Sequence, residues 1–277
     1  MWQLKHDTII LDGMSKFAKW TVRLLLISIC LYGAGRLYFA LTAGFTVGNV
    51  TDLPDIQPFT LKKPSEEKLK EVSALLDQPF HYLGKGCQSY VFESADGKYV
   101  LKFLKLQRFR PQWYLSYLPG MKEYRQRKAL EKKQKLLPLL SSWKIAYEDL
   151  AEETGVIYFH LPGVGKWDRQ LTVIDKTEWR HNIDPDQTAF LLQRKASMLC
   201  PTLVEKMKHG DLDGAKELLN HLVTSLIYEY KRGFGDNDHA LMQNTGVLDG
   251  RPVHIDVGQL SSEERFKNPL VYKEELF

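Results

Sequence analysis

The run of strands and turns from Leu83 to Phe103 constrains the fold of this chain more than any other feature. Its first half reads as strand, tight turn, strand, with Gly84 and Gly86 in the turn. Its second half turns at Asp96-Gly97, a dipeptide favoured in two-residue hairpins, and continues as Tyr99–Phe103. The flanking residues are mostly aromatic or β-branched, as strands prefer. Three consecutive strands joined by tight turns are therefore predicted.

The glycine turn and Lys102 also carry a chemical signal. Glycine is needed where backbone amides must approach phosphate oxygens closely. Lys102 lies mid-strand between apolar neighbours, where a charge needs a partner. Phosphate oxygens are the partner that the glycine turn implies. The alternative is a plain hairpin with a surface lysine, because short glycine motifs are weak signals on their own.

A second polar cluster lies far downstream. It comprises Gly235-Asp236-Asn237-Asp238, Asn244 and Asp256-Val257-Gly258. Phosphoryl transfer uses a base that orients a hydroxyl, an amide that holds one Mg²⁺ ion and a carboxylate that holds another. The cluster supplies all three groups. Asp, Asn and Gly are also common turn residues, so the cluster gains its meaning from the glycine turn upstream.

In order and spacing, these elements resemble the protein-kinase-like superfamily. They also resemble uncharacterised kinase-like proteins of intracellular bacteria and, more distantly, bacterial sugar and aminoglycoside kinases. The resemblance covers roughly residues 83 to 260. Gly84-x-Gly86-x-x-Ser89-x-Val91 is similar to the glycine-rich loop, with Ser in place of the third Gly, and Val100-Leu101-Lys102 to the strand that bears the phosphate-binding lysine. The resemblance implies that Gly84, Gly86, Ser89 and Val91 cover the phosphates of ATP, and that Lys102 neutralises their oxygens.

The resemblance also implies roles for the downstream cluster. Asn244 and Asp256 would hold Mg²⁺, with Gln243 as a second candidate for the amide ligand. Asp238 is the favoured catalytic base because of its distance from Asp256. Asp236 remains the alternative because it follows a glycine, as in small-molecule kinases. Neither spacing to Asn244, six or eight positions, equals the usual five.

A kinase-like site also pairs its lysine with a helical glutamate, and several acidic residues compete for this role. The candidates are Glu123, Glu131, Glu148, Glu152 and Glu153. Glu131 is preferred because it lies centrally in the first predicted helix after Lys102. For each of them the alternative is a solvated charge on a helix face.

The predicted fold class is α+β: a two-lobed, protein-kinase-like fold with an antiparallel-sheet N-lobe and a short helical C-lobe, preceded by an N-terminal hydrophobic helix. The expected boundaries are 1–50 for a basic and hydrophobic anchor or signal-like segment, 51–76 for a linker and a helix capped by Ser65, 77–195 for the N-lobe and 196–277 for the C-lobe. A basic helix is expected to run from Pro119-Gly120 to about Leu137, where Pro138 kinks or ends it. Ser142 is expected to cap a second helix. Only 19 residues follow Gly258, so the second lobe is expected to be minimal, incomplete or inactive.

The N-terminal segment contains 12 uncharged and mostly apolar residues, Leu24–Gly35, after Lys16, Lys19 and Arg23. Twelve residues are short for a span of about 20. A longer span would enclose Arg36, and a basic flank with a short apolar run also fits a signal peptide. Positive charges before the segment favour a cytoplasmic N-terminus, which would place the domain away from ATP. Membrane association or export is expected, with a buried core helix as the alternative.

Charge is uneven along the chain. From Lys98 to Lys135 there are 12 Lys and Arg residues and two acidic residues, with aromatic residues between them. An anionic membrane surface or an acidic substrate is favoured over nucleic acid as the partner, because no nucleic-acid-binding motif accompanies the charge. A solvated helix face is the alternative. Three scattered cysteines argue against disulfides and a zinc site.

The sequence thus predicts an enzyme that uses ATP and Mg²⁺ to phosphorylate a hydroxyl of a protein, sugar or lipid. The first alternative is a pseudokinase that binds nucleotide without catalysis. The second is a membrane-tethered adaptor that uses the basic helix.

Overall fold

The computed structural model describes residues 15–165, 167, 169–238 and 240–276, and the chain divides into two compact units, Met1–Phe45 and Thr46–Phe277. In the first unit, helix α1 spans Lys16–Thr42. Ser15 caps it, because its Oγ accepts a hydrogen bond from the Ala18 amide at 3.3 Å. The helix ends at Ala43, which adopts a left-handed conformation with φ of 56°. The part of the predicted anchor before Ser15 lies outside the described residues.

Helix α1 does not stop at Gly35 as the short apolar run suggested. It continues through Arg36 and reaches 27 residues, long and apolar enough to cross a membrane. The buried-core-helix alternative is wrong, because none of its most apolar 18-residue stretch is buried. A membrane span and a signal sequence both fit this helix.

A seven-stranded sheet dominates the first half of the second unit. Its strands are β1 (Phe80–Lys85), β2 (Ser89–Ser94), β3 (Tyr99–Leu104), β4 (Val156–His160), β5 (Leu171–Ile174), β6 (Arg180–Ile183) and β7 (Phe190–Arg194). They lie in the order β4-β7-β3-β2-β1-β5-β6, and every neighbouring pair is antiparallel except β1 with β5. The three predicted strands and their Asp96-Gly97 turn form β1 to β3, with Gly97 at a φ of 70°. The α+β class is confirmed.

Helix α2 (Glu66–Leu75) precedes the sheet, and Ser65 caps it as predicted: its Oγ accepts from the Lys68 amide at 3.1 Å. The residues before α2 are irregular but packed. Leu53, Ile56, Phe59 and Leu61 contact the core that lies between the sheet and the long helix α3.

Helix α3 runs without interruption from Lys122 to Glu148 and corrects two predictions. Pro138 does not end it, because the buried neighbours Leu136, Leu139 and Leu140 pack in the core and offset the lost backbone hydrogen bond. Ser142 does not cap a second helix; it lies inside α3. A short helix α4 (Ala151–Thr154) follows and ends at Gly155.

The second half of this unit is mainly helical. Helices α5 (Leu199–Lys208) and α6 (Leu212–Arg232) form its core with the end of the chain, where Phe266 and Tyr272 pack on Tyr230. Two small antiparallel sheets complete it. One contains β8 (Ser197–Met198), β10 (Thr245–Leu248) and β11 (Arg251–His254); the other pairs β9 (Phe234–Asp236) with β12 (Leu260–Ser262). Helices α7 (Leu241–Asn244) and α8 (Pro269–Leu276) are short.

Candidate active site

The turn between β1 and β2 is closed by a hydrogen bond from the Gly86 amide to the Ser89 carbonyl at 3.0 Å. A Cβ on Gly84 would meet no atom within 4 Å, and one on Gly86 would meet only Ser89 Oγ, at 3.9 Å. Packing therefore does not require glycine at either position. The open space agrees with a surface that another molecule approaches.

Basic residues from the segment after β3 hold the tip of this turn. The Lys105 ammonium donates to the Gly86 carbonyl, and the Arg108 guanidinium donates to the Cys87 carbonyl. The Lys105 amide donates to the Gln88 carbonyl at 2.8 Å. Neither Lys105 nor Arg108 was predicted to have this role. Both follow Lys102 closely in sequence, but their contacts with the glycine turn depend on how the chain turns after β3.

Lys102 is buried on β3, opposite Val91 of β2 and Leu191 of β7. Its ammonium donates to the carbonyl of Ile255. Burial lowers the pKa of Lys102 from 10.5 to about 8, and the charge of Asp256 opposes this shift. The lysine thus remains mostly charged at neutral pH and lies next to the predicted metal-binding segment.

The predicted partner of Lys102 is wrong. Glu131 lies on α3 with its carboxylate 2.7 Å from the Lys128 ammonium, and nearly half of its side chain is exposed. No ion pair joins it to Lys102 within the described residues. Trp143 of the same helix lines the cleft that contains Lys102. An aromatic residue of the helix therefore lies in that cleft, and the expected carboxylate does not.

Pairing of β9 with β12 places the two predicted loops side by side, with Asp236 opposite Leu260. The carboxylate of Asp236 accepts from the Asp238 amide at 3.0 Å, and that of Asp238 accepts from the Ala240 amide at 3.1 Å. Burial raises the pKa of Asp236 above 3.8, although the Asp238 amide and His254 act in the opposite direction. The two candidate bases therefore differ in environment.

A buried chain of ionisable groups lies behind Asp236. Nε2 of His254 lies 2.9 Å and 3.1 Å from the two carboxylate oxygens of Glu229, and its Nδ1 lies 3.9 Å from Asp236 Oδ2. Burial alone would lower the pKa of His254, but the hydrogen bond and charge of Glu229 outweigh burial and raise it. His254 thus lies between the carboxylates of Glu229 and Asp236, whose charges favour its protonated form. His254 lay within the motif, whereas Glu229 gave no signal because it lies on the buried face of α6.

Asn244 and Asp256 meet through the backbone. The Asn244 carbonyl accepts from the amides of Ile255 at 2.7 Å and Asp256 at 3.4 Å. Nδ2 of Asn244 is buried without a hydrogen-bond partner. Rotation of the amide would place its oxygen at this position, where it could ligate a cation. Asp256 is exposed, so its carboxylate is accessible.

These two oxygen donors suit Mg²⁺, which binds few protein groups and retains water and phosphate ligands. No cluster of three His, Cys, Asp or Glu side chains that could hold a metal occurs in the described part of the chain. The Asp256 carboxylate lines the cleft that contains Lys102, whereas Asn244 lines a second cavity.

Ser142 of α3 fixes the segment after Asp256. Its hydroxyl donates to the Val257 carbonyl at 2.6 Å and accepts from the Leu260 amide at 2.7 Å. Gly258 lies in the same segment, and a Cβ there would lie 2.5 Å from the Gln88 side chain of the glycine turn. The helix, the turn and the predicted metal-binding segment are thus tied together.

These elements enclose one cleft of about 610 Å³, counting the space open to solvent. Its lining includes Gly86, Gln88, Ser89, Lys102, Trp143, Asp236, Asp238, Asp256 and Gly258. A second cavity shares Asp236 and Asp238 with the cleft and adds Asn244, Glu229 and His254. The two aspartates therefore line both cavities.

No protein-family model matches the chain, and no curated protein matches it. Solved structures of the bifunctional kinase-methyltransferase WbdD show partial likeness. One shares 17% identity over 68% of this chain and 33% of that chain, with a TM-score of 0.35. A structure of monomeric WbdD shares 20% identity over 69% of this chain and 37% of that chain, with a TM-score of 0.32. The chain spans only about a third of the length of these proteins, and a likeness at this level carries no argument about activity.

Proposed function

We propose that the chain is a phosphotransferase that moves the terminal phosphoryl group of Mg-ATP to a hydroxyl acceptor. One observation carries the proposal: the glycine turn, Lys102, the Asp236–Asp238 loop and Asp256 line one cleft although they are far apart in sequence. A buried lysine, an open glycine turn and convergent carboxylates are the groups that phosphoryl transfer needs.

In this proposal Gly86 in the turn, and Gly84 near the end of β1, leave space for phosphate oxygens to approach backbone amides. Lys102 supplies positive charge at a buried position, where electrostatic interactions are strong. Asn244 and Asp256 would hold Mg²⁺, which shields the negative charge of the phosphates. Positioning and charge neutralisation would supply most of the rate.

We infer that Asp236 is the base that accepts the acceptor proton. Sequence spacing favoured Asp238, but burial raises the pKa of Asp236, and the His254 ring lies 3.9 Å from the Asp236 carboxylate. A raised pKa improves a general base near neutral pH. Asp238 would then shape the loop through its hydrogen bond to the Ala240 amide.

The test is ATP turnover by the purified full chain in the presence of Mg²⁺, with Lys102→Ala and Asp256→Ala as loss-of-function variants. Lys98→Ala and Asp213→Ala are matched controls, because both side chains are exposed and lie outside the cleft. We expect turnover only in the wild type and the two controls. Equal turnover in all five proteins would refute the proposal.

A pseudokinase remains a second candidate, and the pairing of Glu131 with Lys128 instead of Lys102 favours it. A nucleotide-binding protein without catalysis would bind Mg-ATP through the same cleft but release no phosphate or phosphorylated product. Binding without turnover, across protein, sugar and lipid acceptors, would support this candidate.

We further infer that α1 attaches the protein to a membrane. Its length and exposed apolar surface support attachment, but a cleaved signal sequence would share both properties. Intact-mass measurement of the protein from its native source distinguishes the two. Retention of α1 supports an anchor, and its removal contradicts one.

A further inference from the structure

The segment that precedes α3 and the first turns of that helix carry a concentration of exposed apolar and basic side chains. We call this region the basic aromatic surface. Its apolar members are Tyr114, Tyr117, Leu118, Met121, Tyr124 and Leu130, with exposed fractions from 37% to 77%. Its basic members are Lys122, Arg125 and Arg127, all exposed. Such a concentration of large apolar side chains on a surface is typical of an interaction site.

The surface is part of the packed structure. Leu115 lies within the segment and is buried, with an exposed fraction of 6%. The Arg127 guanidinium and the Lys128 ammonium lie 5.3 Å and 5.7 Å from the centre of the Tyr124 ring. Its side chains are therefore held on a defined framework, so binding would cost less conformational entropy than ordering a free tail.

Basic residues outnumber acidic ones on this surface. Glu131 lies 2.7 Å from Lys128 and 4.0 Å from Arg127, and Glu123 is the remaining acidic residue between Lys98 and Lys135. Elsewhere in the same stretch, Lys102 and Lys105 are buried and Lys133 pairs with Asp55. Lys122 and Arg125 therefore carry outward charge next to the exposed aromatic residues, and Arg127 shares Glu131 with Lys128.

We propose that the basic aromatic surface docks on an anionic phospholipid bilayer. Lys and Arg attract anionic headgroups, and tyrosine with aliphatic side chains enters the boundary between headgroups and acyl chains. Nucleic acid would satisfy the charges but would offer no apolar environment for Leu118, Met121 and Leu130. The proposal does not depend on phosphotransfer.

The exposed apolar helix in the same chain also points to a bilayer as the occupant. A membrane-anchored α1 would keep the domain near the bilayer at high effective concentration, so even a weak surface would dock. The anchor and the docking surface would then act as two membrane-binding elements, which together give more stable attachment than either one alone.

The test uses the full chain in lipid nanodiscs of pure phosphatidylcholine and of phosphatidylcholine mixed with phosphatidylserine. Amide hydrogen exchange of residues 114–130 is the readout. We expect exchange to slow by roughly tenfold or more in the anionic discs only, and the protection to disappear at high salt because the charges are screened.

A charge-reversal variant, Lys122→Glu with Arg125→Glu and Arg127→Glu, should lose this protection in anionic discs. The matched control reverses three exposed lysines elsewhere, Lys208→Glu, Lys216→Glu and Lys231→Glu, and should keep it. Thermal unfolding of each variant checks that the fold is intact.

Three results would overturn the proposal. One is equal exchange in neutral and anionic discs. Another is protection that the control variant loses as completely as the charge-reversal variant. The third is protection that persists in detergent and increases with protein concentration, which would identify a second copy of the chain as the occupant.

Discussion

Lys102 carries a charge that is buried at a cost in stability. Its ammonium is buried against the Ile255 carbonyl, and desolvation lowers its pKa to about 8. A buried charge without a fully formed ion pair destabilises the folded protein. The structure thus retains an unfavourable charge beside the glycine turn, which agrees with a role in binding an anion.

We predict that Lys102→Met stabilises the ligand-free protein by about 1–3 kcal/mol at neutral pH, because it removes the buried charge. The folded pKa lies below the unfolded value of 10.5, so between about 8 and 10.5 the unfolded wild type binds more protons than the folded protein. Wild-type stability therefore rises with pH in this window, and the advantage of the variant shrinks. Urea unfolding of both proteins from neutral pH to about pH 9.5 measures this difference in the free energy of unfolding.

Lys98→Met is the control, because Lys98 is exposed at the end of the hairpin turn. It should change the free energy of unfolding by less than about 0.5 kcal/mol at every pH. A loss of stability in Lys102→Met that is independent of pH would show that the lysine stabilises the fold.

Single substitutions can also distinguish Asp236 from Asp238 as the catalytic base. We predict that Asp236→Asn lowers kcat by about 10²–10⁴-fold, because a general base contributes that much. Asp238→Asn should lower kcat by less than about tenfold, because its amide can still hold the loop. Steady-state kcat and KM of both variants decide the matter, and a larger kcat loss in Asp238→Asn would identify Asp238 as the base.

At the scale of elements, Gly235 and Gly84 show two different reasons for a glycine. A Cβ on Gly235 would lie 2.8 Å from the Phe266 ring, so this glycine permits close packing between β9 and the end of the chain. A Cβ on Gly84 would meet nothing within 4 Å. The first glycine serves the fold, whereas packing does not require the second.

We predict that Gly235→Ala destabilises the protein by about 1–3 kcal/mol, because overpacking displaces the buried Phe266 ring. Gly84→Ala should change stability by at most about 1 kcal/mol but weaken Mg-ATP binding. Chemical denaturation and calorimetric titration give both quantities. Similar destabilisation by the two substitutions would contradict this assignment.

At the scale of the whole molecule, local patterns predicted most of the secondary structure and far fewer of the contacts. Turn residues and strand-favouring residues identified β1 to β3 and the Ser65 cap, because each depends on neighbours in sequence. Pro138 and Ser142 misled the prediction because tertiary packing carries α3 through both. The Ser142 hydroxyl bonds to residues more than one hundred positions away, and no local pattern contains that information.

Some residues of the candidate site could be selected from the sequence, and others could not. Lys102, Asp236 and Asp256 were selected because their types and order match a known chemistry, and they line one cleft in the structure. Glu131 was chosen because it lies centrally on a predicted helix. Tertiary packing decides which side of α3 faces the cleft, and Trp143 lines the cleft whereas Glu131 pairs with Lys128. Glu229 was missed because a buried carboxylate on an apolar helix face is recognisable only once His254 lies beside it.

Calorimetric titration of the full chain with ATP, with and without Mg²⁺, tests whether the cleft binds Mg-ATP. We expect saturable binding that requires Mg²⁺ and is lost in Lys102→Met and Asp256→Asn but kept in Lys98→Met. Absence of binding in the wild type, or equal binding in all four proteins, would contradict it.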